Sequence, residues 1–431
     1  MIFYYFLILG MPLSQHHFWA HFAGDFTGIK YVGMACLPYA MVHLSMRGSA
    51  PPLFETWQAR LFLGLFFVFT VSYVTSPQRG SWVASHWLTD LSFLMLFFIT
   101  VAIVDSLERL RWVLLTATSS IALASLYVLR DWQLYHSMYI DYRPGFVVGD
   151  PNYFTVNVLL FIPSTFLLAM EPRPRWQRWY CALCFVVTLF GVWVCASRGG
   201  FLGIVLSSLW LIVRSKRRAR NLTLVAIAFV AVSLFSPVSP IARFRNPSRG
   251  DEQSADTHVA LMRGGVRMML AHPLLGVGLD NFKFNIADFV TPEEAKGMDQ
   301  LRRIAHNSYV EIGAEEGLPG LLLFVGMQFA CILSLEQVAQ RSKRLGSTTL
   351  AKVALGLQAG ILGSSISIFF VSGEYQKMLW LAIFLTMCLP RLVDEVARKQ
   401  RERVLRVRAQ RPLQTESVYA TLQTQSQSSI V

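Results

Sequence analysis

One histidine, three arginines and a few carboxylates and amides are the residues of this chain whose types and spacing could do chemistry. His306 opens the run HNSYVEIGAEEGLPG, residues 306–320. The stretch Ser308-Tyr309-Val310-Glu311 reads as a capping box, with Ser308 as N-cap and Glu311 at the third position. His306 would then lie two residues outside a helix N-terminus, where unpaired N–H groups and the dipole favour an anion. A neutral imidazole there suits a general base that removes the proton of an attacking hydroxyl. The plainer alternative is a histidine anchoring at a membrane interface. Gly317-Leu318-Pro319-Gly320 should break that short helix before the next apolar run.

Arg198 stands in Ala196-Ser197-Arg198-Gly199-Gly200, a tight turn between two apolar runs. The glycines leave room for a bulky headgroup, and the guanidinium offers a planar fork that matches phosphate oxygens. An arginine snorkelling at the membrane edge is the competing reading. Arg263 and Arg267 fall with Asp256 on the polar face of an amphipathic helix expected over 256–271. Its apolar side would hold Val259, Met262, Val266, Met269 and Leu270. Gly264 and Gly265 weaken this helix but admit a close neighbour, and Pro273 and Gly276 end it. The arginine pair either completes a diphosphate clamp, Arg267 before Arg263, or forms an ordinary solvated face.

Supporting roles, glycan contact or structure, fall to Asp150, Asn152, Asn307, Glu311, Glu316 and Asp280. Asp150-Pro151-Asn152 reads first as the cap of a span. Glu374 and Lys377 read as a surface pair. Carboxylates look nearly absent from the spans, which leaves a proton or ion relay little to run on.

The elements that must position these groups are membrane helices. Of 431 residues, 54% are hydrophobic and 15% charged, and apolar runs of membrane length recur along most of the chain. Twelve spans are expected, near 2–19, 26–46, 60–76, 86–104, 111–129, 153–170, 178–196, 200–214, 221–239, 317–337, 351–372 and 376–392. The first is the weakest, since Gln15, His16 and His17 interrupt it, and no Lys or Arg precedes it to suggest a cleaved signal. The net charge of +13 would suit nucleic acid, but its placement argues against that partner. With the N-terminus inside, 24 of the 39 Lys and Arg fall on inward connections and six on short outward ones. The other nine lie on one long outward loop, which the positive-inside rule discounts. Both termini are thus expected in the cytoplasm. Cys181 and Cys184 form a CxxC, but like the other four cysteines they sit in apolar spans and read as packed small residues. The expected organisation is a membrane domain over 1–239, an outer loop over 240–316, a second membrane part over 317–392, and a tail over 393–431. The tail starts as a basic stretch suited to anionic lipid and ends polar and disordered.

His306-Asn307, nine residues, then Gly317 and Gly320 resembles the signature of the O-antigen ligase and polymerase superfamily. The Ser197-Arg198-Gly199 turn, the HPLLGVG segment (272–278) and the Asp150-Pro151-Asn152 turn are similar to that family too. His258 stands where the family often has an arginine, which unsettles the assignment of the loop arginines. The resemblance implies an all-α polytopic membrane protein with one large periplasmic loop carrying amphipathic helices. It implies a glycosyltransferase of the bacterial inner membrane that moves a glycan from undecaprenyl diphosphate to a hydroxyl of lipid A–core, inverting the anomeric carbon. Arg198 and Arg267 or Arg263 would hold the diphosphate and His306 would be the base. With arginines neutralising the leaving group, neither metal nor other cofactor is expected. Other acceptors fit the same architecture: a growing glycan, as for a polymerase, or a protein hydroxyl. A transporter of lipid-linked glycans would use the same basic residues without chemistry, but the broken helices in two related halves that transport favours are not seen. Membrane lipids are the surroundings, and no oligomeric state is implied.

Overall fold

The computed structural model describes residues 1–12, 28–47, 53–78, 80–138, 142–145, 150–171, 174–235, 249–296 and 302–427. All regular structure among them is helical. The helices are α1 (Ile2–Gly10), α2 (Gly28–Arg47), α3 (Trp57–Thr75), α4 (Ser81–Ile103), α5 (Leu107–Tyr135), α6 (Pro151–Leu159), α7 (Ile162–Ala169) and α8 (Arg175–Val194). They continue as α9 (Arg198–Arg214), α10 (Arg218–Phe235), α11 (Arg249–Ala271), α12 (Phe282–Asn285), α13 (Pro292–Ala295), α14 (Ser308–Arg344), α15 (Thr348–Ser367) and α16 (Lys377–Gln427).

Among the described residues, six helices are long and apolar enough to cross a membrane: α3, α4, α5, α8, α14 and α15. The bent pair α6 and α7, at 43°, would make a seventh. Fewer than the twelve expected spans therefore meet this standard. The expected span at 200–214 is a helix of 17 residues, and α2 carries Pro38 in its interior. Much of the first span, with Gln15, His16 and His17, lies outside the described residues, as do the end of the ninth expected span and the start of the loop, 236–248. The tail also differs from expectation, since α16 runs on to Gln427. Arg, Gln, Glu, Leu and Ala are good helix formers, and extending an existing helix avoids the cost of nucleation.

The centre of the bundle is aromatic. Phe62 of α3 meets Phe384 of α16 with ring centroids 4.8 Å apart and Trp380 at 5.3 Å. The Trp380 indole donates to the carbonyl of Glu374 at 2.7 Å, which removes the polar penalty of burying it. Helices α9 and α15 cross on small residues: a Cβ built on Gly203 would lie 2.7 Å from the carbonyl oxygen of Gly363. Such close backbone contact is how helices associate in lipid, which offers no hydrophobic drive between them. All six cysteines are buried and unbridged.

Helix α11 packs on α14. Its buried face runs through Ala260, Leu261, Gly264, Gly265 and Met268, while Val259, Val266 and Leu270 are exposed. The expected apolar side is thus rotated. The glycines explain why: a Cβ on Gly265 would meet Val310 at 2.3 Å, so α11 approaches α14 through its least bulky stripe.

Candidate active site

Three helix starts meet at one end of the bundle. Asp150 caps α6, its Oδ1 accepting the Asn152 N–H at 2.7 Å. Ser197 caps α9, its Oγ accepting the Gly200 N–H at 3.2 Å and donating to Asn152 Oδ1 at 2.6 Å. The third start is that of α14. The turn after α15 ties it to α9: Ser367 Oγ donates to the Gly199 carbonyl at 3.0 Å, and the Ser308 N–H donates to the Ile368 carbonyl at 3.0 Å. Arg198 and His306 are therefore on the same end of the bundle.

The cap of α14 differs from the expected box. Asn307 is the N-cap, its Oδ1 accepting the N–H groups of Tyr309 at 3.0 Å and Val310 at 3.2 Å. Ser308 is already helical and packs inward, donating to the Val371 carbonyl at 3.0 Å and accepting the Gly373 N–H at 2.8 Å. Glu311 takes the Ala305 N–H at 3.3 Å and the Ser372 hydroxyl. An amide carbonyl reaches two orphan N–H groups at once, while the serine is used to fix the neighbouring turn. His306 thus directly precedes the cap.

Strain marks these turns. Ala196, Asp280 and His306 have φ of 47°, 53° and 50°, a left-handed region that costs a non-glycine residue about 1–2 kcal/mol. One precedes the Arg198 turn, one is the histidine itself, and one lies in the strap described next. His306 is half-buried, and burial lowers its pKa from the ordinary value of 6.5, with Asp150 opposing and Arg303 assisting. His258 of α11 lies flat against it, ring centroids 4.9 Å apart and planes within 2°. Burial, then the His306 and Arg198 charges, push His258 down to about 4, while Asp150 pulls the other way. His306, His258, Asp150, Arg198 and Arg303 therefore share one electrostatic neighbourhood. Arg143 joins its edge, donating from Nε to the Cys195 carbonyl at 3.0 Å and sensing Asp150 and Arg198.

The loop arginines are placed differently. Arg267 spends both terminal nitrogens on the Glu294 carboxylate, at 2.8 and 2.9 Å, and Nη1 also donates to the Phe289 carbonyl. Arg263 approaches the same carboxylate at 3.8 Å. This pair fastens α11 to α13. Asp280 is buried between Lys283 at 2.8 Å and His86 at 3.0 Å.

Behind the site, the HPLLGVG strap docks on the break in α14. Gly317 has φ of 72°, and a Cβ there would strike Leu274 and Pro273 at 2.7 Å. The break lets the Leu318 N–H reach the Pro273 carbonyl at 2.8 Å, and the Val277 N–H reach the Ala314 carbonyl at 2.8 Å. Glu315 then clamps the strap, its carboxylate accepting the N–H groups of Asp280 and Phe282, each at 2.9 Å. Glu315 belongs to a buried carboxylate group with Asp90, Glu311, Glu316 and Glu374, each at most 3% exposed. Carboxylates are thus not scarce within the bundle, and Glu374 is no surface partner of Lys377. Arg303, Arg143 and Glu315 escaped the sequence reading. For Arg303 a signal was available, three residues before His306.

Residues 183–325 match the family model described as O-antigen ligase. The match covers about a third of the chain and makes that segment similar to the O-antigen ligase superfamily. Comparison with curated proteins gives no match. The matched segment takes in the Arg198 turn, α11, the strap, and the His306 start of α14 through its break at Gly317. Asp150, Asn152 and Arg143 lie before it and reach the same place through the fold.

Proposed function

We propose that this protein is a membrane glycosyltransferase that moves a glycan from undecaprenyl diphosphate to an acceptor hydroxyl at the periplasmic face, with lipid A–core as acceptor. The observation that carries the reading is the gathering of His306, Arg198, Arg303 and Asp150 at three helix starts. Helix N-termini and guanidinium forks both favour phosphate oxygens. The excess of Lys and Arg on one set of connections supports an outward-facing site in the inner membrane.

In this reading Arg198 and Arg303 grip the diphosphate, and Arg267 braces the loop that carries α11. His306 takes the proton from the acceptor hydroxyl. The hydroxyl oxygen bonds to the anomeric carbon on the face opposite the diphosphate, whose C–O bond breaks with the electron pair leaving on phosphate. Configuration at that carbon inverts. Holding the departing charge in a preorganised site is usually the largest electrostatic contribution to such a step. The depressed pKa of His306 keeps it neutral, and so able to accept a proton, at pH 7.

The test is transfer by purified protein from lipid-linked donor to lipid A–core. His306→Ala should lose transfer by about 100-fold or more, a range usual for general bases, while donor binding survives. Transfer at the wild-type rate would end the base assignment. Deleting the gene and resolving surface polysaccharide on a gel separates acceptors: polymer retained on the carrier but absent from lipid A means ligase, and loss of the polymer itself means polymerase.

A further inference from the structure

We propose that His258 is a positioning residue for His306, holding the base imidazole in one plane and shielded from water through the parallel ring stack. The inference deepens the base assignment above and rests on it. His306 sits in a left-handed backbone conformation immediately before the cap of α14. The residue itself lies outside any helix, so its ring takes its orientation from neighbouring side chains. His258 supplies a flat wall from α11, with centroids 4.9 Å apart and planes 2° from parallel.

The wall is itself held in place. Gly265, seven residues further along α11, lets that helix touch Val310 of α14, and a Cβ there would clash at 2.3 Å. Arg267 is clamped to Glu294 by two bonds. The first contact sets the distance between α11 and the start of α14, and hence between the two rings, while the second fastens α11 to α13. An arginine at position 258 would bring a fixed positive charge against His306. A histidine can instead remain neutral and present a flat face.

The stack has a charge consequence. Two imidazolium rings in contact repel, and burial together with the His306 charge pushes His258 down to about 4, which disfavours a second proton on the pair near neutral pH. The charged groups that face the pair are Asp150 at the start of α6, Arg198 at the start of α9 and Arg303 ahead of α14. The proton taken from the acceptor therefore rests on His306, over a neutral ring whose face accommodates a cation.

The experiment compares His258→Ala, His258→Phe and His306→Ala in the full-length protein, reading kcat, donor KM and the pH profile of kcat/KM. His258→Ala should lower kcat about tenfold with donor KM changed less than twofold. Its acid limb should move to higher pH, because an exposed His306 regains its ordinary affinity for protons. His258→Phe keeps the flat, apolar wall and should recover most of kcat and the wild-type limb. If the loss appears in donor KM and phenylalanine fails to restore kcat, His258 binds the donor and the positioning role is wrong. An unchanged rate and profile in His258→Ala overturns it equally. These outcomes count while His306→Ala is inactive; an active His306→Ala overturns the base assignment, and the proposal with it.

Discussion

At the scale of single residues, placement relative to a helix start decides what His306 can do. Asn307 supplies the cap and leaves the histidine just outside, half-buried, with its pKa pushed below 6.5 by burial. The proton-accepting form is the neutral one, so a lowered pKa extends activity towards acid. The acid limb of kcat/KM should accordingly fall below pH 6.5, measured from pH 5 to 8 with a fixed donor concentration; a limb above 6.5 would contradict the buried setting. Asn307→Ala should cost about 1 kcal/mol, the usual loss when a side-chain cap is removed, read as a lower unfolding midpoint in detergent. Glu315 is a second decisive residue. Glu315→Gln replaces one of two acceptor oxygens by a donor facing an N–H, so a loss of about 1–3 kcal/mol is expected. Faster hydrogen exchange at Asp280 and Phe282 would locate the loss in the strap.

At the scale of elements, the break in α14 and the glycine stripe of α11 build the platform. Gly317→Ala places a side chain at φ of 72° and drives its Cβ into the strap. The expected outcome is a loss of about 2 kcal/mol or more, combining left-handed strain with a backbone clash. Loss of transfer should accompany it. Arg267 offers the contrast, because its fork is spent on Glu294. Arg267→Ala should leave donor KM within about threefold of wild type, whereas Arg198→Ala should raise it at least tenfold, the range of one charge-assisted phosphate contact. A large rise in donor KM for Arg267→Ala would return that residue to the phosphate clamp.

At the scale of the whole molecule, the direction of the chain across the membrane sets which solvent the site sees. All six native cysteines are buried, so an introduced thiol can be read against a quiet background. Glu293→Cys, on the loop proposed to face outward, should react with a membrane-impermeant maleimide in intact spheroplasts. Lys343→Cys, at the opposite end of α14, should react only after permeabilisation. The reverse pattern would turn the protein over and place the site in the cytoplasm.

The helical class, the Arg198 and His306 turns, and the glycine break were legible before folding, because each is written in local composition or in a few adjacent residues. Apolar runs demand helices in lipid, and glycine alone tolerates the backbone that Gly317 adopts. It took the packing of the helices to show that His258 stacks on His306, that Arg267 is taken by Glu294, and that Asp90, Glu315, Glu316 and Glu374 are all buried. The face of α11 also escaped local reading, since hydrophobicity pointed to its valines while close packing selected its glycines. Those outcomes depend on which helices touch, a matter of shape complementarity between segments far apart in the chain.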